Sequence, residues 1–232
     1  MLAEVAAVVP AAGSGSRMGM DAKKQYLSLA GIPVLGHVLK VMGAGRVVQN
    51  IVIVVGPGEE EYCRSAVVER LGIKKVRAIV PGGKERQDSV YSGLLALSPA
   101  TGIVVVHDGA RPLLSAGDLE KVVTAAEKHG AATLAVPVKD TVKLAGSGGF
   151  VARTLPRERL WLVQTPQAFR YDLILGAHRR AREDKFTGTD DAGLVERLGL
   201  PVKIMPGSYE NIKITTPEDL VVAAAIIKAG RS

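Results

Sequence analysis

The amino-acid sequence predicts an α/β fold in which a mostly parallel β-sheet is flanked by helices. Short runs rich in Val and Ile alternate with longer segments of helical spacing, which is typical of right-handed crossovers between parallel strands. The runs are apolar on both faces, as strands in a sheet covered on both sides should be. The predicted strands are Val5–Val9, Ile51–Val55, Val76–Val80, Ile103–Val106 and Thr133–Val136. The predicted helices between them are Val34–Met42, Glu59–Leu71, Gln87–Leu97 and Asp118–His129.

The alternation changes after Pro137. Thr141–Leu144 and Phe150–Thr154 flank a Gly-Ser-Gly-Gly stretch, which predicts a hairpin with a flexible turn. We expect one domain over residues 1–232, with residues 138–159 as an inserted β-arm that is either a surface flap or a contact with a partner subunit. The elements predicted after the arm are a core strand at Trp161–Gln164, helices at Tyr171–Arg182 and Thr189–Leu198, a strand at Val202–Met205 and a helix at Pro217–Ala229 capped by Thr216.

Composition excludes several classes of protein. Of the 232 residues, 47% are hydrophobic, which is enough for a large core and argues against disorder. No apolar run reaches the ~18 residues that a membrane span needs, and the amino terminus shows no pattern of a signal or transit peptide. The one cysteine, Cys63, cannot build a disulfide framework or a thiolate metal cage. We therefore expect a cytoplasmic protein with no membrane partner.

The charge balance points to an anionic ligand. Lys and Arg number 30 against 23 Asp and Glu, and the net charge of +7 suits nucleic acid, anionic lipid or phosphorylated small molecules. Aromatic residues make up 4% of the chain, which leaves few side chains to stack on unpaired bases. Phosphate-rich small substrates are therefore favoured, and a basic nucleic-acid-binding module is the alternative from another class.

A glycine-rich loop at Pro10–Gly19 follows the first strand and is the strongest local signal. Backbone N–H groups of such a turn can point at an anion because no Cβ blocks the approach. The loop is neither a dinucleotide fingerprint, since Met18 replaces the third glycine, nor a P-loop, since Met20 stands where lysine is needed. It does carry Arg17, with Lys24 just beyond, and these cations suit a triphosphate that loses pyrophosphate. An ordinary glycine-rich connection is the alternative.

Two later strands are also followed by candidate ligand-binding residues. Asp108 stands just past the carboxyl end of a strand, where open α/β sheets bind ligands, and a carboxylate beside a triphosphate implies Mg²⁺. A helix-capping or turn aspartate is the alternative. Gly83 and Ser89 follow the preceding strand and could hydrogen-bond the edge of a base. His107, which ends an apolar strand, is interpreted as a packed structural residue and not as a base.

These motifs resemble the cytidylyltransferases of the non-mevalonate isoprenoid route. The resemblance begins with Pro-Ala-Ala-Gly-x-Gly-x-Arg-Met and the Lys-Gln-Tyr that follows it, and it continues in family order over nearly the whole chain. The further blocks are Gly82–Val90, Val106–Pro112, Pro137–Thr141, Gln164–Gln167, Thr189–Ala192 and Asn211–Leu220.

The resemblance implies a Rossmann-like nucleotide-diphospho-sugar transferase fold, Mg²⁺, and transfer of CMP from CTP to methylerythritol phosphate. Arg17 and Lys24 would stabilise the charge on the reacting phosphate, while Arg157 and Lys213 would hold the phosphate of the acceptor. The arm would reach the other subunit's site in a homodimer, and no nucleic acid is expected as a partner. The implied substrate-binding residues are Ala11, Ala12, Gly13, Gly15, Gly83, Lys84, Ser89, Asp108, Gly109, Arg111, Thr141 and Thr165, with Asp108 also on the metal.

Some assignments stay open. Arg153 or Arg159 could replace Arg157 as the phosphate-binding arginine, because the alignment is least secure there. Lys84 stands where some relatives carry Asp, so a base contact at that position would come from the backbone. A ribitol-5-phosphate cytidylyltransferase and a catalytically inactive relative are the alternatives within the fold. Lys213 is expected in a short strand before the last helix, and the Thr189–Asp191 block is interpreted as a helix cap without an assigned role.

Overall fold

A seven-stranded β-sheet forms the centre of the protein, for which a computed structural model describes residues 4–13 and 23–230. Its strands, in chain order, are β1 Glu4–Pro10, β4 Asn50–Val55, β5 Val76–Pro81, β6 Thr101–Val106, β7 Ala131–Pro137, β10 Trp161–Arg170 and β11 Lys203–Pro206. The intervening strands β2 Ser28–Leu29 and β3 Ile32–Pro33 form a small separate pair, and β8 Lys143–Ala145 pairs with β9 Val151–Thr154. The order across the large sheet is β11-β7-β10-β6-β1-β4-β5.

Helices cover both faces of this sheet. The described helices are α1 Val34–Ala44, α2 Glu60–Cys63, α3 Arg86–Leu95, α4 Ala116–His129, α5 Tyr171–Glu183, α6 Asp191–Arg197 and α7 Pro217–Lys228. Alternate residues of β1 face opposite sides: Ala7 packs in the cluster that contains α1 and α4, whereas Val8 packs in the cluster that contains α3, α5 and α6. Because both faces are buried, the strands read as continuous apolar runs, and the predicted fold class is confirmed.

The structure corrects three predictions of local structure. The predicted core strand Trp161–Gln164 is the first part of β10, which runs antiparallel to both of its neighbours, and its residue Leu162 is 56% exposed. The predicted helix Glu59–Leu71 is α-helical over α2 and then continues as a π-helix at Arg64–Glu69. Lys213 lies outside any strand, because the segment before α7 makes isolated contacts with the core in place of a ladder of hydrogen bonds.

The predicted hairpin after Pro137 is present. The strands β8 and β9 are antiparallel, and the side chains along both of them are exposed. Large apolar side chains lie on this hairpin, with Phe150 79% exposed and Val151 60% exposed. The arm therefore adds apolar surface that this chain does not cover.

The last helix begins as its sequence predicts. Thr216 caps α7 in a capping box with Asp219, and Pro217 occupies the first turn. Within residues 4–13 and 23–230, none of the helices has both the length and the apolar character of a membrane span.

Close packing of α3 on the sheet predicts that Gly93→Ala destabilises the protein. A Cβ at Gly93 would lie 2.4 Å from Cγ1 of Val8 and 2.9 Å from Cγ2 of Val54. We expect the free energy of unfolding to fall by about 1–3 kcal/mol, the usual cost of overpacking a core. Gly176→Ala is the matched control, because Gly176 is also helical but a Cβ added there would meet no neighbouring side chain within 4 Å. Urea unfolding should show a gain of about 0.5–1 kcal/mol for that variant, and equal effects of the two substitutions would contradict the packing argument.

Candidate active site

A cleft lies where the strands β1, β5 and β6 end. The chain leaves β1 toward β4 on one side, whereas β6 pairs with β1 on the other, so the order of strands reverses at β1. In open α/β sheets such a switch point holds the ligand at the carboxyl ends of the strands. The first cavity in this cleft is lined by Pro10, Ala11, Ala12, Gly13, Lys24, Gln25, Gly83, Lys84, Glu85, Arg86, Ser89, Asp108, Ala110 and Lys213.

Two glycines allow the loop after β5 to approach its neighbours. A Cβ at Gly82 would lie 2.5 Å from Cβ of Ala12 and 2.7 Å from Oγ of Ser89. The backbone N–H of Gly83 donates to Oγ of Ser89 at 3.2 Å, and the same hydroxyl donates to the carbonyl of Glu85 at 3.2 Å. The wall of the first cavity therefore depends on small residues and on one buried serine.

Asp108 lies at the centre of the cleft, two residues after the end of β6. Its backbone N–H donates to Oγ1 of Thr165 at 3.0 Å. Nε of Arg86 donates to Oδ1 of Asp108 at 3.0 Å, and Nζ of Lys213 lies 2.7 Å from Oδ2. Nε of Arg111 lies 3.8 Å from Oδ2. Both oxygens of this buried carboxylate thus face cations.

These cations determine the protonation of Asp108. Burial by itself would raise the pKa of the carboxyl, but the charges of Arg86, Lys213 and Arg111 outweigh burial and hold the pKa well below its usual range. Asp108 is therefore ionised throughout the physiological pH range.

Lys213 is positioned by contacts on either side of it in the chain. Asn211 is buried, and its Nδ2 donates to the carbonyl of Thr165 at 2.8 Å. Nη1 of Arg111 donates to the carbonyl of Asn211 at 2.7 Å, and the N–H of Ile214 donates to the carbonyl of Ala110 at 2.8 Å. An irregular segment can therefore hold a lysine at the cleft without any strand.

A second cavity adjoins the first at Asp108. It is lined by Arg86, Asp108, Arg111, Val163, Gln164, Thr165, Gln167, Thr189, Asp190 and Lys213. Arg86, Asp108 and Lys213 line both cavities, so they form the boundary between them. Two ligands bound in these cavities would meet at that boundary.

The structure brings most of the predicted site residues together. Those that line one or both cavities are Ala11, Ala12, Gly13, Lys24, Gly83, Lys84, Ser89, Asp108, Arg111, Thr165 and Lys213. Gly109 lies behind Ala11, since a Cβ on it would come within 3.0 Å of Cβ of that alanine. The predicted residues Gly15 and Arg17 lie outside the described residues.

Thr141 and Arg157 do not line either cavity in this chain. Both lie on or beside the exposed arm, and Nη1 of Arg157 donates to the carbonyl of Lys139 at 2.9 Å. Within the described part of one chain, they therefore lie outside the cleft of their own chain, whereas the prediction has the arm serve the cleft of the other subunit.

Sequence reasoning missed Arg86 and Asp191. Nη1 of Arg86 donates to Oδ2 of the buried Asp191 at 2.8 Å, while its Nε bonds Asp108. The interpretation of Thr189–Asp191 as a cap is right for Asp190, whose Oδ1 accepts from the N–H of Gly193, but incomplete for Asp191. The motif blocks contain both residues, yet no local spacing indicates that positions 86 and 191 meet.

His107 is packed, as its position in the sequence predicts. It is fully buried, its Nε2 lies 3.1 Å from the carbonyl of Arg111, and burial lowers its pKa from 6.5 to about 4. The imidazole is therefore neutral at physiological pH and does not line either cavity.

A crevice at the switch point of a parallel sheet, bounded by glycine turns and by several cations, places the chain among the α/β proteins that bind nucleotides. Residues 5–229 match the model of the 2-C-methyl-D-erythritol 4-phosphate cytidylyltransferase family, and the chain belongs to that family. It is 74% identical over 226 residues to the 2-C-methyl-D-erythritol 4-phosphate cytidylyltransferase of Pelotomaculum thermopropionicum, a match that covers 97% of this chain and 95% of that protein.

Solved structures show the same relationship. The 4-diphosphocytidyl-2C-methyl-D-erythritol synthase of Anaerococcus prevotii matches with a TM-score of 0.87 and 32% identity, covering 97% of this chain and 96% of that one. The 2-C-methyl-D-erythritol 4-phosphate cytidylyltransferase of Thermus thermophilus matches with a TM-score of 0.78 and 35% identity, covering 95% and 98%. The predicted family, fold and enzyme class, a nucleotidyltransferase that transfers a cytidylyl group, are confirmed.

The lowered pKa of His107 predicts a pH dependence of stability. A histidine with a pKa of about 4 in the fold and 6.5 when unfolded stabilises the protein fully above pH 6.5, and this contribution is lost as the pH falls toward 4. Relative to His107→Gln, whose amide does not titrate, the wild type should lose roughly 2–3 kcal/mol between about pH 7 and about pH 4.5. Urea unfolding of both proteins across this range measures the difference. A constant difference would show that burial does not control this imidazole.

Proposed function

We propose that this cleft transfers CMP from CTP to 2-C-methyl-D-erythritol 4-phosphate and releases pyrophosphate. The observation that carries the proposal is the junction of two cavities at Asp108 and Lys213, which gives a nucleotide and a phosphorylated acceptor adjoining sites. The first cavity, with its glycine turns and small alanines, suits the nucleotide. The second, with Arg111 and Lys213 in its wall, suits the acceptor phosphate. Membership of the cytidylyltransferase family supports both assignments.

The chemistry requires no general base. An oxygen of the acceptor phosphate attacks the α-phosphorus of CTP in line, a new P–O bond forms, and the bond to pyrophosphate breaks with its electron pair on the leaving oxygen. A phosphate monoester is already largely ionised at neutral pH, since its second pKa is about 6. This fits a site whose nearest histidine, His107, is buried and neutral.

The protein must instead bring two anions together and stabilise the charge that builds between them. Lys24, on the wall of the first cavity, would stabilise the α-phosphate, and Lys213 would hold the acceptor phosphate. Arg17, which lies outside the described residues, is assigned the same role as Lys24 from its motif alone. Arg86, at the boundary of the cavities, adds a further cation near the reacting phosphates.

Asp108 is the carboxylate of the cleft that would hold Mg²⁺ together with the phosphates of the substrate. The described residues contain no group of three or more His, Cys, Asp or Glu that could hold a metal ion. Mg²⁺ commonly takes one or two carboxylates and completes its shell with water and substrate phosphates, so the ionised Asp108 is a suitable protein ligand. When bound, the ion would neutralise charge on the triphosphate.

We propose that the protein acts as a homodimer and that the arm at residues 138–159 of one copy completes the second cavity of the other. Arg157 does not line the cleft of its own chain, and the arm exposes Phe150, Val151 and Leu144. Exposed apolar residues on a projecting hairpin suit burial against a second copy. In this proposal, residues 1–232 form a single cytidylyltransferase domain into which the arm is inserted. The protein would act in the cytoplasm, where CTP is available.

Loss of one preorganised cation should reduce turnover strongly. Wild-type protein with CTP, Mg²⁺ and 2-C-methyl-D-erythritol 4-phosphate should release pyrophosphate, and Lys24→Ala should lower kcat by about 10²-fold or more. Lys128→Ala, at an exposed position of α4, is the matched control and should keep wild-type turnover. Release of pyrophosphate with ribitol 5-phosphate, but not with 2-C-methyl-D-erythritol 4-phosphate, would refute the proposed identity of the acceptor. Normal turnover by folded Lys24→Ala would refute the role of that lysine.

Mixing two inactive variants tests whether the arm acts in the other subunit. Arg157→Ala and Lys213→Ala should each lose most activity, because each removes one contact to the acceptor phosphate. Suppose that each site takes Lys213 from one chain and Arg157 from the other, and that equal amounts of the two variants exchange subunits at random. About half of the dimers are then mixed, and one of the two sites in each mixed dimer holds both intact residues, which makes about a quarter of all sites. Pyrophosphate release should then return to about a quarter of the wild-type rate. An arm that serves its own chain predicts no recovery, and size-exclusion chromatography of each variant verifies the dimer.

A further inference from the structure

A second layer of buried polar side chains lies behind Arg86. Asp191 at the start of α6 and His178 on α5 are both buried. Oδ2 of Asp191 accepts from Nη1 of Arg86 at 2.8 Å, and its Oδ1 lies 3.0 Å from Nε2 of His178. Three helices, α3, α5 and α6, therefore meet through one carboxylate.

The surroundings of His178 indicate which ring nitrogen carries the proton. Its Nδ1 is buried and has no hydrogen-bond partner among the described residues, so a proton there would be left unpaired. The proton belongs on Nε2, which donates to Asp191. The ring also stacks on Tyr91, with centroids 6.2 Å apart and planes 16° apart, which fixes its orientation.

Arg86 is divided between two carboxylates. Its Nε–H donates to Asp108 in the cleft, and its Nη1–H donates to Asp191 on the side away from the cleft. The guanidinium is a rigid planar fork, so an anchor on one arm sets the direction of the other. Burial by itself would raise the pKa of Asp191, but Arg86 and the hydrogen bond from His178 outweigh it and lower the pKa, so Asp191 is ionised.

We propose that Asp191 and His178 are positioning residues for the cytidylyl transfer, which hold Arg86 in the wall of the cleft while Asp108 exchanges its partners for substrate. The inference rests on the proposed function, because only that function places a nucleotide beside Arg86 and Asp108. Asp108 must give up part of its pairing when a nucleotide binds, and Asp191 leaves Arg86 with a buried anion at that moment. Without the charge of Asp191, Arg86 would pair with Asp108 alone and make that carboxylate less available.

The first test replaces the charge of Asp191 and keeps its shape. Asp191→Asn should raise both the KM for CTP and the dissociation constant of CTP measured by calorimetry about tenfold or more, the scale for one charge-assisted hydrogen bond. The kcat should fall less than kcat/KM. Asp184→Asn is the matched control, because Asp184 also pairs with two arginines, Arg180 at 3.1 Å and Arg197 at 2.8 Å, but lines neither cavity. It should keep the wild-type CTP affinity.

The second test uses two substitutions of His178. His178→Phe keeps a ring against Tyr91 but cannot donate to Asp191, so CTP affinity should weaken severalfold. His178→Gln can place an amide N–H near the position of Nε2, so CTP affinity should return toward that of the wild type. If His178→Gln restores the CTP affinity and His178→Phe does not, the hydrogen bond to Asp191 matters and the packing of the ring does not.

The outcomes decide between the two roles. Wild-type CTP affinity in folded Asp191→Asn and His178→Phe, with lowered melting temperatures alone, would overturn the proposal and leave the pair a structural role. If Asp191→Asn does not fold, the comparison of the two His178 variants decides. Loss of folding in all three variants would also overturn it. Failure of the proposed function is distinguishable, because the wild type itself would then not turn over CTP with the acceptor.

Discussion

The buried carboxylate of Asp108 is the group on which the cleft depends, because a charge at the end of a central strand must be compensated by cations from elsewhere in the chain. Arg86 comes from α3, Arg111 from the loop after β6, and Lys213 from the segment before α7. Thr165 on β10 accepts from the Asp108 N–H. Compensating one charge thereby fixes the relative positions of elements that are far apart in the sequence.

The same electrostatic arrangement suits the transfer of a nucleotide to a phosphate. Both reactants are anions, so a site with a surplus of positive charge is needed to hold them in contact. Asp108 supplies part of the countercharge that keeps these cations ordered. In the proposed reaction, the side chains are already placed near the substrate phosphates, so that binding requires little reorganisation.

The rigidity of the sheet and the small residues at its edge give this site its shape. Valine-rich strands buried on both faces hold their carboxyl ends in fixed register, and the loops that follow them can approach closely because Gly82 and Ala12 present little bulk. The segment that carries Lys213 needs no strand of its own, since Asn211 and Ile214 fasten it to the neighbouring loops. Loops on a rigid scaffold are the usual carriers of ligand-binding residues.

Sequence patterns predict the α/β alternation, most strand and helix positions, the hairpin and about half of the residues that line the two cavities. These features are predictable because buried parallel strands, glycine turns and helix caps are local patterns, and because the motif blocks occur together in family order along the chain. The antiparallel direction of β10 and the irregular path at Lys213 depend on tertiary packing. The same holds for the pairing of Arg86 with Asp191, two residues that are 105 positions apart in the sequence. Contacts at such separations leave no periodicity in the chain, since they arise when buried charges find partners as the helices pack.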